Sequence, residues 1–106
     1  MIPARGEVWL YERPKRKGRP VLILLRSEAI EKLNRVLVVP STTEGMRRIP
    51  THVWIDEDDG MREPSALVLD ETFAARRDSL THRIAVLGAE KMDEVCRALV
   101  TATSCG

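Results

Sequence analysis

"KGRPVLILL", residues 17–25, decides how this 106-residue chain is read. Five consecutive apolar residues, Val21 to Leu25, read as a strand covered on both faces and therefore central to a sheet. Directly before them stand Arg19 and Pro20. Proline fixes its own φ and biases the residue before it toward an extended backbone. The Arg19 guanidinium is therefore aimed reproducibly from the mouth of a buried strand.

The flanking sequence supplies partners for that strand. "GEVWLYE", 6–12, alternates after a glycine and reads as a first strand with Val8 and Leu10 on one face. The intervening loop 13–19 holds Pro14 and Gly18 and is irregular. After the central strand, Ser27 caps a short helix, "SEAIEKL", with Ile30 and Leu33 facing inward. "RVLVVP", 35–40, "THVWID", 51–56, "SALVLD", 65–70, and "HRIAVLG", 82–88, read as further strands; "DDGMREP" and "RRDSL" read as turns. "AEKMDEVCRALVTAT" places Met92, Val95, Cys96, Leu99 and Val100 at helical spacing. The fold class expected is a small α+β domain spanning 1–106. A strongly curved, barrel-like antiparallel sheet carries a short helix after strand 2 and an amphipathic C-terminal helix over one opening or edge.

Composition narrows the function classes. No apolar run approaches the roughly 20 residues of a membrane span, and "MIPARGEVWL" has no signal-peptide pattern, so a cytoplasmic protein is expected. The net charge is only +1, yet "RPKRKGR", 13–19, carries five positive charges and no negative one. Such a segment either steers a phosphate backbone or is a solvated loop without a partner. Cys96 and Cys105 stand about 13 Å apart along a helix axis, too far for a disulfide. Cys96 reads as a small core residue and Cys105 as a thiol at a frayed end. "DEDDG" at 56–60 lacks the register of a calcium loop and reads as a turn.

No phosphate-binding glycine loop, nucleophile elbow or HExxH motif is present. His52 and His82 each fall in a strand pattern on the presumed outward face. What remains are two polar sites at strand ends: Arg19 where the second strand begins, and Ser41, Thr42 and Thr43 where the third ends. A guanidinium fork with one or two hydroxyls is a good phosphate receptor. The alternative is an arginine paired with a surface carboxylate beside a loop whose hydroxyls make turns. The residues alone leave both open.

Taken together, the motifs resemble the MazF/PemK (Kid) toxins of bacterial toxin–antitoxin systems. The resemblance runs through "RGEVW" (5–9), "GRPVLIL" (18–24), "VVPSTT" (38–43), "RRIPTHV" (47–53), "PSALVLDE" (64–71) and "DSLTHRIAVL" (78–87), and closes with "MDEVCRAL". It covers nearly the whole chain in the family's order.

The resemblance implies an SH3-like barrel of the CcdB/MazF type that pairs into homodimers. It further implies metal-independent, cofactor-free, sequence-specific cleavage of single-stranded RNA. The family's catalytic arginine and threonine correspond to Arg19 and Thr42. Its RNA groove is bordered by the counterparts of Ile49, Pro50, Thr51 and His52, and its acid–amide pair corresponds to Asp70 and Glu71. The RNA-binding set implied is Lys15, Arg16, Lys17, Ser41, Thr43, Arg47, Arg48, Pro50, His52, Asp70 and Glu71.

A cognate antitoxin is implied as partner, with an acidic extended tail competing for the groove. Two departures stand out: "DETF" at 70–73 lacks the family's usual amide and arginine, and the loop before "GRP" is shorter and more basic. Competing readings are a CcdB-like gyrase poison, a class that ends in Trp-Gly-Ile where this chain ends "TSCG", and a degenerate homologue that binds RNA or antitoxin without cutting.

Overall fold

A computed structural model describes residues 1–106. In chain order the elements are β1 (Glu7–Tyr11), β2 (Arg19–Ile23), α1 (Ser27–Ile30), β3 (Arg35–Thr42), β4 (His52–Ile55), β5 (Ser65–Val68), β6 (Phe73–Arg76), β7 (Leu80–Val86) and α2 (Ala89–Thr103). Every strand pairing is antiparallel, in the order β4-β5-β3-β2-β1-β7, with β6 also paired to β3. The curved α+β sheet with a C-terminal helix is as expected, and it stays open rather than closing into a barrel.

The eight residues of β3 organise the molecule. One edge pairs with β2 (Val21↔Pro40 to Ile23↔Val38). The other divides: Arg35–Val38 pair with β6, whereas Ser41 and Thr42 pair with β5. The sheet therefore forks along β3, and it encloses two cores rather than one.

Alternation along the central strands feeds both cores. Val8, Leu22 and Val39 point into a cluster that includes Val53, Ile55, Leu67 and Leu69, with Val95 and Ala98 of α2 packed onto it. Trp9, Val21, Ile23 and Val38 point the other way, into a cluster with Ile30, Val36, Ala75 and Leu80. This explains why "PVLIL" lacks a polar face. It also corrects the reading of β1, in which Val8 and Trp9 are both buried and Leu10 is only half-buried.

Several local expectations change. Seven strands form rather than five or six, because Phe73–Arg76 adds an edge strand. The helix after β2 is a single turn; Ile30 is buried but Leu33 lies outside it, 45% exposed. The Ser27 hydroxyl does not cap that helix and instead accepts from the Arg5 amide at 2.9 Å. Cys96 is exposed on α2, one position round from buried Val95, where its Sγ accepts from Arg5 Nη2 at 3.4 Å. Cys96 and Cys105 are both free thiols. "DEDDG" forms a 3₁₀ turn closed by a reciprocal cap between Asp56 and Asp59.

Candidate functional site

Arg19 opens β2, and its Nη2 donates to the Ser41 carbonyl at 2.7 Å. The Ser41 hydroxyl donates back to the Pro20 carbonyl at 2.6 Å. These two bonds tie the start of β2 to the end of β3, so the guanidinium is held by backbone on both strands. One of its five N–H groups is engaged this way, which leaves a fork free for an anion.

Thr42, the last residue of β3, belongs to the same cleft. Its hydroxyl donates to the Glu44 carbonyl (2.7 Å) and accepts from the Glu44 amide (3.2 Å). Gly45, at φ +64, carries the chain out of that turn through a region where a side chain would strain. Donation from Thr42 to a phosphate would exchange the Glu44 carbonyl for a phosphate oxygen.

Arg19, Thr42, Glu44, Arg47, His52, Asp70 and Glu71 line one open cleft of about 400 Å³, with Ile49 and Val68 as its apolar wall. The far side is built from the start of β4 and the 3₁₀ turn Leu69–Glu71 that follows β5. Thr51 Oγ1 donates to Asp70 Oδ2 at 2.7 Å, and the Leu69 amide donates to the Thr51 carbonyl at 3.0 Å, joining the two segments. His52 is half-buried, and its Nδ1 is fully buried without a hydrogen-bond partner.

The loop preceding β4 is held down by Trp54. Its indole Nε1 donates to the Arg47 carbonyl at 3.1 Å, and the Arg48 guanidinium stacks 3.9 Å from its ring centroid. Cation–π contacts of this kind contribute about 0.5–2 kcal/mol.

The cleft thus gathers seven of the expected residues: Arg19, Thr42, Arg47, Ile49, His52, Asp70 and Glu71. Seven others lie elsewhere. Ser41 is buried in the wall with its hydroxyl engaged, and Arg48 covers Trp54. Thr43 faces a neighbouring hollow with Leu10, Met61 and His82, so the two histidines do not meet. Pro50, Lys15 and Lys17 are exposed outside the cleft, and Arg16 lines a separate one.

Glu44 lines the cleft although the sequence reading did not name it, and the glycine after it is the only local sign of the turn that brings it in. In formal charge the cleft holds two guanidinium groups against three carboxylates. It can orient an anion, but it is not a basic surface.

Comparison with known proteins places these features. The family described as PemK-like, MazF-like toxin of type II toxin-antitoxin system matches residues 4–102. A probable endoribonuclease MazF5 of Mycobacterium tuberculosis is 36% identical over 105 residues, covering 98% of this chain and 95% of that protein. The solved Mycobacterium tuberculosis toxin MazF-mt6 superposes with a TM-score of 0.83 at 30% identity, covering 92% of this chain and 96% of that one. An endoribonuclease solved with its cognate antitoxin from a mycobacterial species superposes at 0.85, covering 98% and 97%; at 24% identity it speaks to the fold. The chain belongs to the PemK-like, MazF-like toxins of type II toxin–antitoxin systems.

Proposed function

We propose that this chain is the endoribonuclease toxin of a toxin–antitoxin pair, cutting single-stranded RNA at short sequences without a metal and so arresting translation and growth. The observation that carries the reading is the convergence of Arg19 and Thr42, from the facing ends of β2 and β3, on one cleft.

The reaction is an internal transesterification. The ribose 2′-oxygen attacks the adjacent phosphorus, the bond from phosphorus to the 5′-oxygen breaks, and a 2′,3′-cyclic phosphate and a 5′-hydroxyl remain. The 2′-hydroxyl gives up its proton and the departing 5′-oxygen takes one, so the step balances without a cofactor. Because the nucleophile is tethered, the protein's tasks are in-line alignment and stabilisation of charge on the five-coordinate phosphorus.

Arg19 supplies that stabilisation through two parallel hydrogen bonds to non-bridging oxygens. A guanidinium is a poor proton acceptor, so charge is its first role. Thr42 fixes the rotation of the phosphate. His52 and Glu71 line the same cleft and are the side chains placed to exchange protons with the ribose and the leaving oxygen.

On the same reading, residues 1–106 act as one domain, two copies pair, and an antitoxin with an acidic extended tail occupies the cleft in competition with RNA. No helix is long and apolar enough to cross a membrane, and a substrate of cellular RNA places the protein in the cytoplasm. The test is incubation of the purified protein with a long RNA in EDTA. Cut ends bearing 5′-hydroxyls are the expected result; intact RNA overturns the enzyme reading.

A further inference from the structure

We infer that a second cleft, formed where the loop after β1 meets the β3–β6 edge, is an RNA-backbone docking site that holds the strand whose cut site lies at Arg19. The inference rests on the proposed function for the identity of its polyanion, and on the following geometry for its existence.

Arg13 and Arg16 from the loop, Arg35 from the start of β3 and Arg76 from the end of β6 line one hollow of about 480 Å³, together with Tyr11 and Ser79. No carboxylate lines it. None of the four guanidinium groups forms a salt bridge: the four ion pairs of the molecule involve Arg26, Arg83 and Lys91 only. None donates a hydrogen bond to another part of the chain either. Arg35 and Arg76 are also direct cross-strand partners, and like charges set opposite one another on a sheet are destabilising. The fold tolerates that repulsion with no internal anion to relieve it.

The local backbone gathers these charges. The Arg16 amide donates to the Arg13 carbonyl at 3.2 Å across Pro14 and Lys15, and Lys15 sits at φ +63. Proline second and a positive φ third is the pattern of a type II turn, and it brings Arg13 and Arg16 into the same hollow.

An aromatic surface accompanies the charge. The Tyr11 ring lies 5.3 Å from the Arg13 guanidinium and meets Phe73 edge-on at 5.4 Å. Cationic side chains beside a half-buried aromatic ring are the combination that tracks a single strand, phosphates on the arginines and a base on the ring. A plain acidic peptide would use the charge but not the ring.

Continuity joins the two clefts. Tyr11 is the cross-strand partner of Arg19, whose guanidinium reaches the carbonyl of Ser41 beside Thr42. Tyr11 lines the arginine hollow and Arg19 lines the first cleft, so an RNA strand following this row of paired residues runs from one to the other. The hollow also supplies what the first cleft lacks, since there two guanidinium groups face three carboxylates.

The test measures binding of polyuridylate by fluorescence anisotropy over a potassium chloride series, for the wild type, for an Arg35→Gln/Arg76→Gln double variant and for Arg76→Glu. The double variant should bind more weakly, with a log K against log salt slope shallower by about 1.4, at about 0.7 per phosphate contact on a single strand. Arg76→Glu converts the repulsive pair into an attractive one, so it should melt at or above the wild-type temperature while binding RNA less well. A site under functional selection trades these two quantities; a merely structural pair would not.

Unchanged slope and affinity in both variants overturn the inference, as does a fall in melting temperature that accounts for the lost binding. Loss of affinity for polyglutamate with polyuridylate binding intact also overturns it, and assigns the hollow to an acidic polypeptide. A wild type that cuts no RNA removes the proposed enzyme while leaving the slope measurement decisive for the hollow. Normal cutting with an unchanged slope removes the hollow alone.

Discussion

Two clefts built on the same strands divide labour by charge. The cleft at Arg19 mixes guanidinium groups with carboxylates and ties its arginine to backbone at 2.7 Å; the hollow at Arg35 and Arg76 holds four guanidinium groups with no carboxylate. The first is arranged for direction and the second for attraction. A fixed charge stabilises a transition state because it need not reorganise when the reaction occurs. A cluster of unpaired charges gives affinity because it displaces counterions, wherever each one points. The contrast predicts that damage to the first cleft lowers the rate and damage to the second lowers binding.

The largest effect is expected at Arg19. Removing a preorganised donor of this kind costs about 10²–10³ in rate, or 2.7–4 kcal/mol. Arg19→Ala should therefore nearly silence cleavage, while polyuridylate binding falls far less. Single-turnover cleavage read beside anisotropy checks this, and equal losses in both would erase the distinction between the clefts.

A third polar cluster, remote from both clefts in role, provides the control. Glu7 Oε1 accepts from the Ala4 amide (2.8 Å) and from Trp9 Nε1 (2.9 Å), and Oε2 accepts from Arg83 Nη1 (3.1 Å). Burial pushes this carboxyl up, but the Trp9, Ala4 and Arg83 donors outweigh it and hold the group below the ordinary glutamate value. A carboxylate with a lowered folded-state value stabilises the fold at pH above its unfolded value, and that contribution is lost as pH falls through the folded value. Glu7→Gln should thus cost about 1–3 kcal/mol near neutral pH, with wild type and variant converging in acid. Chemical denaturation at several pH values measures it; a gap that persists undiminished in acid would contradict the assigned carboxylate.

Legibility in the sequence followed how local each feature is. Val21–Leu25 announced a central strand because two cores require apolar residues on both of its faces. Arg19 stood out because a proline marks it at the start of a strand, whereas the end of the third strand offered Ser41, Thr42 and Thr43 alike and only the family resemblance singled out Thr42. The strand Phe73–Arg76 was not, since four residues on an edge show no alternation long enough to distinguish from a turn. Its partner on β3 is separated by more than thirty residues of chain, and only that pairing sets Arg76 against Arg35. The basic residues therefore read as one RNA-binding set, although the fold sends Arg47 to one cleft, Arg16 to the other and Arg48 onto Trp54. Cys96 was misread by helix phase alone: Val95 and Ala98 fall about 60° apart on the packed side, whereas Cys96 stands about 100° round from Val95 in the opposite sense.

A smaller effect should follow from parting the two segments of the first cleft. Thr51→Val removes the hydroxyl bonded to Asp70 and keeps the shape of the side chain. An exposed hydrogen bond of this kind contributes about 0.5–1.5 kcal/mol. Melting should fall only slightly, whereas cleavage should weaken through the freed Asp70 turn, with the sequence preference at the cut site relaxed. Mapping cut ends for both proteins checks it, and an identical cut pattern at full rate would show that the turn needs no tether.

The smallest effect concerns the loop that feeds the second hollow. Lys15 occupies a left-handed conformation, φ +63, that costs an L-residue about 1–2 kcal/mol. Glycine relieves it but adds about 0.5–1 kcal/mol of unfolded-state freedom. Lys15→Gly should therefore raise stability by about half a kcal/mol, while polyuridylate binding weakens modestly because one cation is lost and the turn carrying Arg13 and Arg16 loosens. Stability and binding moving in opposite directions would mean that the strain serves the ligand, since backbone strain persists where surrounding structure holds it against its own relaxation. A fall in both would instead make Lys15 an ordinary structural contact, and the second hollow would depend on Arg35 and Arg76 alone.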